Sequence, residues 1–340
     1  MKVARIRAEV SIMSNSGHGH FFAVGRDSFV QACGLGINAA SAFLTMACGT
    51  GRDHTTTRWS ATSVENHAGI GWRRADESIT ALRHSGLVKR TDDKSDKRKP
   101  AYQLKCEGDL IWLPKSIVTG VGDEIPPLRK LRQAQCAMTL RLFIELYRAQ
   151  NLRDDGGISR DVVYQKYERR EFGGRGAYTV WAFDKPSCMT MTWCDVTEPH
   201  RRDQLTPEEC KRGCNAAVDF FARFDKLRLL GLVERVPCLY EGDDGEPIHT
   251  LENPHLLDIM HEAAESLITE GMAVAAESHD YLVPVVNHME AVQVYAMERL
   301  RYRPHTRATS AWWARERQAE QEYIKLYREI ADGTKVAAVA

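Results

Sequence analysis

Residues 59–104 constrain this chain more than any other part of it. They read W-S-A-T-S-V-E-N-H-A-G-I-G-W-R-R-A-D-E-S-I-T-A-L-R-H-S-G-L-V-K-R, then T-D-D-K-S-D-K-R-K-P-A-Y-Q-L. Ser60 marks the start of a helix that ends before Gly69, where a tight turn needs a residue tolerating positive φ. Ile70 then returns to the core. A second helix runs from about Trp72 to His84, with Ala75, Ile79 and Leu82 as its buried stripe. Gly86 ends it as a left-handed cap. Leu87-Val88 opens a strand, and Ala101–Leu104 returns as its partner across a lysine-rich tip. Upstream, a helix starts near Asn38, carries Ala42, Phe43, Leu44 and Met46, and stops at Gly49. Residues 49–57 read as a polar loop.

This order of elements resembles the winged helix-turn-helix superfamily over roughly residues 36–105, including the stretch A-G-I-G-W-R-R-A. The resemblance implies duplex DNA as partner, with the second helix of the turn in the major groove. It makes Trp72, Arg73, Arg74, Asp76 and Glu77 the groove-reading positions, since arginine pairs bidentately with guanine O6 and N7. Phosphate contacts fall to Lys89, Arg90, Lys94, Lys97, Arg98 and Lys99 on the hairpin. Thr62 and Ser63 sit where a helix N-terminus meets a phosphate. The chain departs from the family pattern at Gly71, where Ser or Thr is common, and at the acidic pair Asp76 and Glu77. Winged helices also serve as protein-interaction modules, and a lysine-rich turn is also an ordinary solvated loop.

The 340-residue chain has zero formal net charge, so a nucleic-acid surface must be local. Residues 52–105 supply it, with twelve Lys/Arg against seven Asp/Glu, a balance of +5. No apolar run approaches the ~20 residues that cross a bilayer, and the first residues lack a continuous apolar leader. The expectation is a cytoplasmic protein, nucleoid-associated if bacterial, with no membrane partner. Its nine cysteines are then expected as reduced thiols.

The rest of the chain reads as a second copy of the same plan. An amphipathic helix covers 134–149, and a shorter one runs from Ile158 to about Arg169. An irregular insertion at 171–205 holds strand-like pieces at Tyr178–Phe183 and Met189–Trp193. A helix capped by Thr206, with Pro207 first and Glu209 closing the capping box, reaches Leu230. The phrase L-R-L-L-G-L-V-E-R at 227–235 echoes L-R-H-S-G-L-V-K-R at 82–90. A hairpin follows to about Leu251. The expected class is α+β, mainly α with small β-hairpins: tandem winged-helix modules plus a C-terminal α/β extension. Its expected parts are a loose segment 1–28, a DNA-binding domain 29–110, a second module 128–252 and a helix–strand region 253–340. In the last, residues 255–275 are helical and 292–302 alternate as a half-buried strand. A final helix repeats Trp312, Ala319, Tyr323, Leu326 and Ile330, and ends in a frayed tail.

The second hairpin tip, E-G-D-D-G-E at 241–246, is acidic and suits packing or dimerisation better than phosphate. Arg169, Arg170 and Arg175 offer a flexible backbone clamp as the alternative. Arg299, Arg301 and Arg303 share a strand face, either to follow a phosphate backbone or to protect a sheet edge. Tandem modules also resemble the replication initiators of plasmids and related mobile elements, which implies origin binding as an alternative to transcriptional control. A homodimer, or a partner protein held by the second module or last helix, completes the expected partners. Cys188, Cys194, His200, Cys210 and Cys214 cluster without the usual spacing of zinc ligands, so no metal and no cofactor is expected. His18-Gly19-His20 is similar to the histidine pair of single-strand nicking enzymes, with Tyr164 or Tyr167 as nucleophile, but the intervening glycine breaks that pattern. No enzyme is expected.

Overall fold

A computed structural model describes residues 21–91, 100–159, 162–184, 190–191, 193–195, 198–199, 220–242, 245–268, 279–287 and 291–339. The chain is a mixed α+β protein. It opens with β1 (Phe21–Gly25) and α1 (Arg26–Gly34), so the loose segment expected at 1–28 fails over 21–28. The sequence missed this strand because its partner lies some ninety residues on. Helix α2 (Ile37–Cys48) is buried continuously from Ala39 to Cys48 and forms the centre of the first core. Small residues let its neighbours approach, and Thr45 satisfies its buried hydroxyl by donating to the Ser41 carbonyl at 2.9 Å.

The region expected from 59–104 follows. Strand β2 (Thr56–Thr57), α3 (Ala61–Ala68), α4 (Trp72–His84), β3 (Val88–Thr91) and β4 (Ala101–Leu104) succeed one another. Gly69, between α3 and α4, stands at φ 66°, as the turn requires. The loop expected at 49–57 is in part a strand, because β2 pairs with β4 and makes a three-stranded sheet in the order β2-β4-β3. Strand β5 (Leu110–Pro114) then pairs antiparallel with β1, burying Phe22, Val24, Ile111 and Leu113 on one face. Helices α5 (Ser116–Thr119), α6 (Pro127–Gln133) and α7 (Ala137–Arg148) close over the same core.

The helix expected from Ile158 to Arg169 is corrected. Those residues lead into β6 (Val163–Lys166) and β7 (Glu168–Arg175). Val162-Val163 and alternating burial through Tyr167 fit a pleated strand better than a helical face. Strand β7 pairs with β8 (Tyr178–Asp184), and the short strands β9 (Thr190–Met191), β10 (Trp193–Asp195) and β11 (Glu198–Pro199) follow. The capping signal at Thr206, Pro207 and Glu209 lies outside the described residues. Its helix is seen over 220–229 as α8. Then come β12 (Val233–Tyr240), β13 (Pro247–Thr250), α9 (Pro254–Leu267), β14 (Tyr281–Val286), β15 (Gln293–Leu300) and α10 (Arg307–Val339). The tail expected to fray continues this last helix.

The echoed phrase folds the same way twice. The Leu87 amide donates to the Leu82 carbonyl at 3.0 Å and Gly86 to Arg83 at 3.1 Å. Leu232 donates to Leu227 at 2.9 Å and Gly231 to Arg228 at 2.8 Å. Both are Schellman caps, with Gly86 at φ 77° and Gly231 at φ 67°. All four leucines are fully buried.

The mainly helical expectation is corrected in the second half. Its strands join into a sheet ordered β13-β12-β15-β6-β9, beside a three-stranded sheet β14-β8-β7. The boundary expected at 252/253 is crossed by β12 and β15, which pair along eight residue positions from Val233↔Leu300 to Tyr240↔Gln293. Likewise the first core does not stop at residue 110: it includes α7, Phe220, Phe224 and Leu227 of α8, and reaches Tyr302. A second core packs the sheets against α9 and α10 through Leu256, Met260, Val283, Val294 and Tyr327.

Candidate nucleic-acid interface

Helix α4 buries Ala75, Ser78, Ile79 and Leu82. These positions define one face against α2, α3 and β3, so the other face is presented outward. Trp72, Arg73, Arg74, Asp76 and Glu77 are all exposed, Trp72 at 54%. These five side chains therefore lie on the exposed side of the helix. Trp72 is the first helical residue, and its amide donates to Glu65 Oε1 of α3 at 3.1 Å. That bond ties the two helices across the turn and satisfies one of the free N-terminal amides of α4.

The two arginines differ. Arg73 Nε pairs with Glu77 Oε1 one turn on, at 3.2 Å, with both side chains well exposed. Such a pair is worth only a few tenths of a kcal/mol, so it yields readily to a better acceptor. Arg74 has no side-chain partner among the described residues. Asp76 is not an isolated acid: with Arg83 and Arg90 it lies close enough to the Tyr102 ring to act on its hydroxyl. Burial pushes that hydroxyl up, the two arginines pull it down, and Asp76 raises it.

Arg83 was not singled out from the sequence, although its place in the last turn, one residue past Leu82, puts it on the exposed side. Lys89 and Arg90 are exposed on β3. Lys89 is directly opposite Gln103, and Gln103 opposite Thr56 on β2. Lys89, Gln103 and Thr56 form an exposed polar row across the sheet. Only β2 brings Thr56 there, and a two-residue strand leaves no period to read. Lys94, Lys97, Arg98 and Lys99 lie outside the described residues. Thr62 is exposed and Ser63 half-buried in the first turn of α3, where Ser60 makes no side-chain cap bond.

The other arginine groups are corrected. Arg169 and Arg170 belong to β7 rather than to a flexible clamp. Arg169 Nη1 donates to the Val292 carbonyl at 2.8 Å, and its guanidinium lies 4.5 Å from the Trp181 ring centroid. Arg170 faces His279 Nε2 at 3.0 Å, while His279 Nδ1 bonds Asp184 at 2.6 Å. Arg175 stays exposed at the end of β7. Arg299 neither follows a backbone nor guards an edge. Strand β15 is interior and buried along its whole length rather than half-buried. Arg299 bonds Glu234 at 2.6 Å, Arg303 bonds the same carboxylate at 2.9 Å, and Arg301 bonds Glu124 at 2.8 Å.

The side chains weighed for metal or nicking chemistry fall mostly outside the described residues. Cys188, His200, Cys210 and Cys214 lie outside the described residues, as do His18 and His20, and for Cys194 and Tyr164 only the strand is described. Tyr167 is buried, its hydroxyl pushed up by that burial. Cys33 and Cys48 are buried thiols, and burial pushes both up to about 12, which keeps them unreactive. No helix among the described residues is long and apolar enough to cross a membrane. Comparison with family models, curated proteins and solved structures gives no match for this chain.

Proposed function

We propose that residues 36–105 form a winged helix-turn-helix and that the protein is a sequence-specific duplex DNA-binding regulator of transcription. The first half of α4 enters the major groove, and β3 with the hairpin tip meets the phosphates. The observation that carries this reading is the uncovered face of α4. It carries two arginines and a tryptophan at the helix start, with Arg83, Lys89 and Arg90 continuing the cationic surface onto the hairpin. Recognition helices read base edges with their N-terminal residues, and flanking cations hold the register.

Selection of a binding site from random duplexes, followed by gel-shift titration, tests it. Arg74→Ala weakens the selected site by ~1–3 kcal/mol and relaxes preference at one base. Lys89→Ala weakens all duplexes alike and lowers the salt slope by about one. If neither substitution changes affinity, the reading fails.

Origin binding by two modules is supported by the shared cap at Gly86 and Gly231. It requires a footprint near two helical turns from one chain; a footprint of one half-site per chain rejects it.

A further inference from the structure

A cleft of about 530 Å³ opens where β13 and β15 end against the first turns of α10, a volume ordinary for small-molecule sites. None of its lining residues belongs to α4 or its hairpin, and the DNA-binding reading makes no use of it.

Three arginines and Glu252 are among the residues that line it. Arg299 is only 8% exposed yet lines the cleft. Its Nε is held by Glu234, its guanidinium plane lies 4.6 Å from the Trp313 ring centroid, and Nη2 stands 3.5 Å from Glu252. Nη1 meets no acceptor among the described residues. Arg303 spends Nη1 on Glu234 and the Leu300 carbonyl, and its other nitrogens have no acceptor among the described residues. Glu234 thus fixes two guanidinium groups side by side with donors to spare. Burial and the neighbouring Arg299 both act against the Arg303 charge, a cost that an anion in the cleft would offset. Arg317, exposed on α10, lines the same space with no partner among the described residues.

Two acidic side chains of α10 line the same cleft. Glu316, 6% exposed, accepts from the Thr250 amide through Oε1, and its second oxygen accepts nothing among the described residues. Glu320 accepts from Asn253 in the same way. Burial pushes the Glu316 carboxyl up to about 7; the Thr250 amide pulls it down and Glu320 raises it. A cationic group beside it would relieve that strain on the charged form.

A simple anion would meet the carboxylates, and a simple cation the guanidinium groups. We propose that this cleft binds a free α-amino acid, its carboxylate held by Arg303 and Arg317 and its ammonium by Glu316 and Glu320. Both charges are needed because guanidinium donors and carboxylate acceptors line one small volume together.

Calorimetric titration of the full chain with each standard L-α-amino acid tests this. At least one should bind saturably, one per chain. Its N-acetyl derivative and its methyl ester should each bind about tenfold more weakly or worse, since each loses one charge-assisted contact. Arg317→Gln, at an exposed position of α10, and Glu320→Gln, which keeps an acceptor for Asn253, should cause comparable losses while thermal unfolding is unchanged. Three results overturn the proposal: no amino acid binds saturably, the blocked derivatives bind as tightly as their parent, or acetate binds as tightly as the amino acid. Unchanged affinity in both folded variants overturns it as well.

Discussion

Two buried side chains at the junction of β13 and α10 make opposite contributions to the pH dependence of stability. His249 is fully buried: Nδ1 is 3.0 Å from the Thr250 carbonyl and Nε2 3.2 Å from the Tyr327 hydroxyl. Both contacts suit a neutral ring that donates from Nδ1 and accepts at Nε2. Burial pushes its pKa down to about 4, with the Thr250 carbonyl acting the other way. The unfolded ring titrates near 6.5. The stabilisation is therefore full above that value and is lost as pH falls through 6.5 toward 4, by up to about 3 kcal/mol at 1.36 kcal/mol per unit. Glu316 runs the other way. Its folded pKa, about 7, exceeds its unfolded value, so its contribution is full below about 4.5 and is lost as pH rises to 7. Urea midpoints between pH 4 and 8 separate the two. His249→Gln should flatten the acid-side loss, at a cost of about 1–3 kcal/mol at pH 7 for the disrupted buried bonds. Glu316→Gln keeps an acceptor for Thr250 and should make the acid-side loss steeper. If both variants keep the parent's pH profile, these two groups are not the source.

At the scale of elements, what was legible was local. Helices α2, α3 and α4 and strands β3 and β4 announce themselves through short-range signals: an apolar stripe, a turn glycine, a helix-ending glycine. The same signals gave the exposed face of α4, because three buried positions fix which residues remain outside. What depended on distant partners was not legible. Strand β1 needs β5, β2 needs β4, and β6 and β7 need β15 and β8. The arginines at 299, 301 and 303 read as a surface stripe because Glu234 and Trp313, which enclose Arg299, come from β12 and α10. The turn between α3 and α4 offers the sharpest test of the local part. Gly69 sits at φ 66°, and a Cβ there would come within 2.6 Å of Arg129 Nε. Left-handed backbone costs about 1–2 kcal/mol for a residue with a Cβ, and the arginine must also move. Gly69→Ala should therefore lower the unfolding free energy by about 1–2 kcal/mol in denaturant titration. Gly71→Ala, whose Cβ would meet open space, should change it far less. Equal effects at the two positions would mean that the turn is not held as described.

Across the whole molecule, the two cores are joined by strands that belong to both. In β12, Val233 packs in the first core and Leu239 in the second; in β15, Leu300 packs in the first and Val294 and Ala296 in the second. Neither core can lose these strands without opening the other. At their junction Glu298, with no exposed side-chain surface, accepts from Arg228 of α8 and from Arg235 of β12. Its backbone carbonyl also accepts from Ile158 at 2.6 Å. Burial pushes the Glu298 carboxyl up, while the two arginines pull it down. The pull of two guanidinium groups at bonding distance favours the ionised form in place. Beyond the end of β15, on the side of the first core, Glu124 accepts from Arg301 and from the Tyr302 hydroxyl, while Tyr147 donates to the Tyr302 carbonyl. This wiring predicts one unfolding transition for the described body rather than a separate one for each core. Tryptophan fluorescence reports on Trp59 in the first core and on Trp181 and Trp312 elsewhere, so its midpoint should coincide with that from backbone circular dichroism. Glu298→Gln leaves two partly buried guanidinium groups without their shared anion, and should lower stability by about 3–5 kcal/mol. The decisive observation is how it does so: both probes should shift together. Should the fluorescence and backbone midpoints separate in the variant or in the parent, the two cores unfold independently, and the shared strands do not couple them.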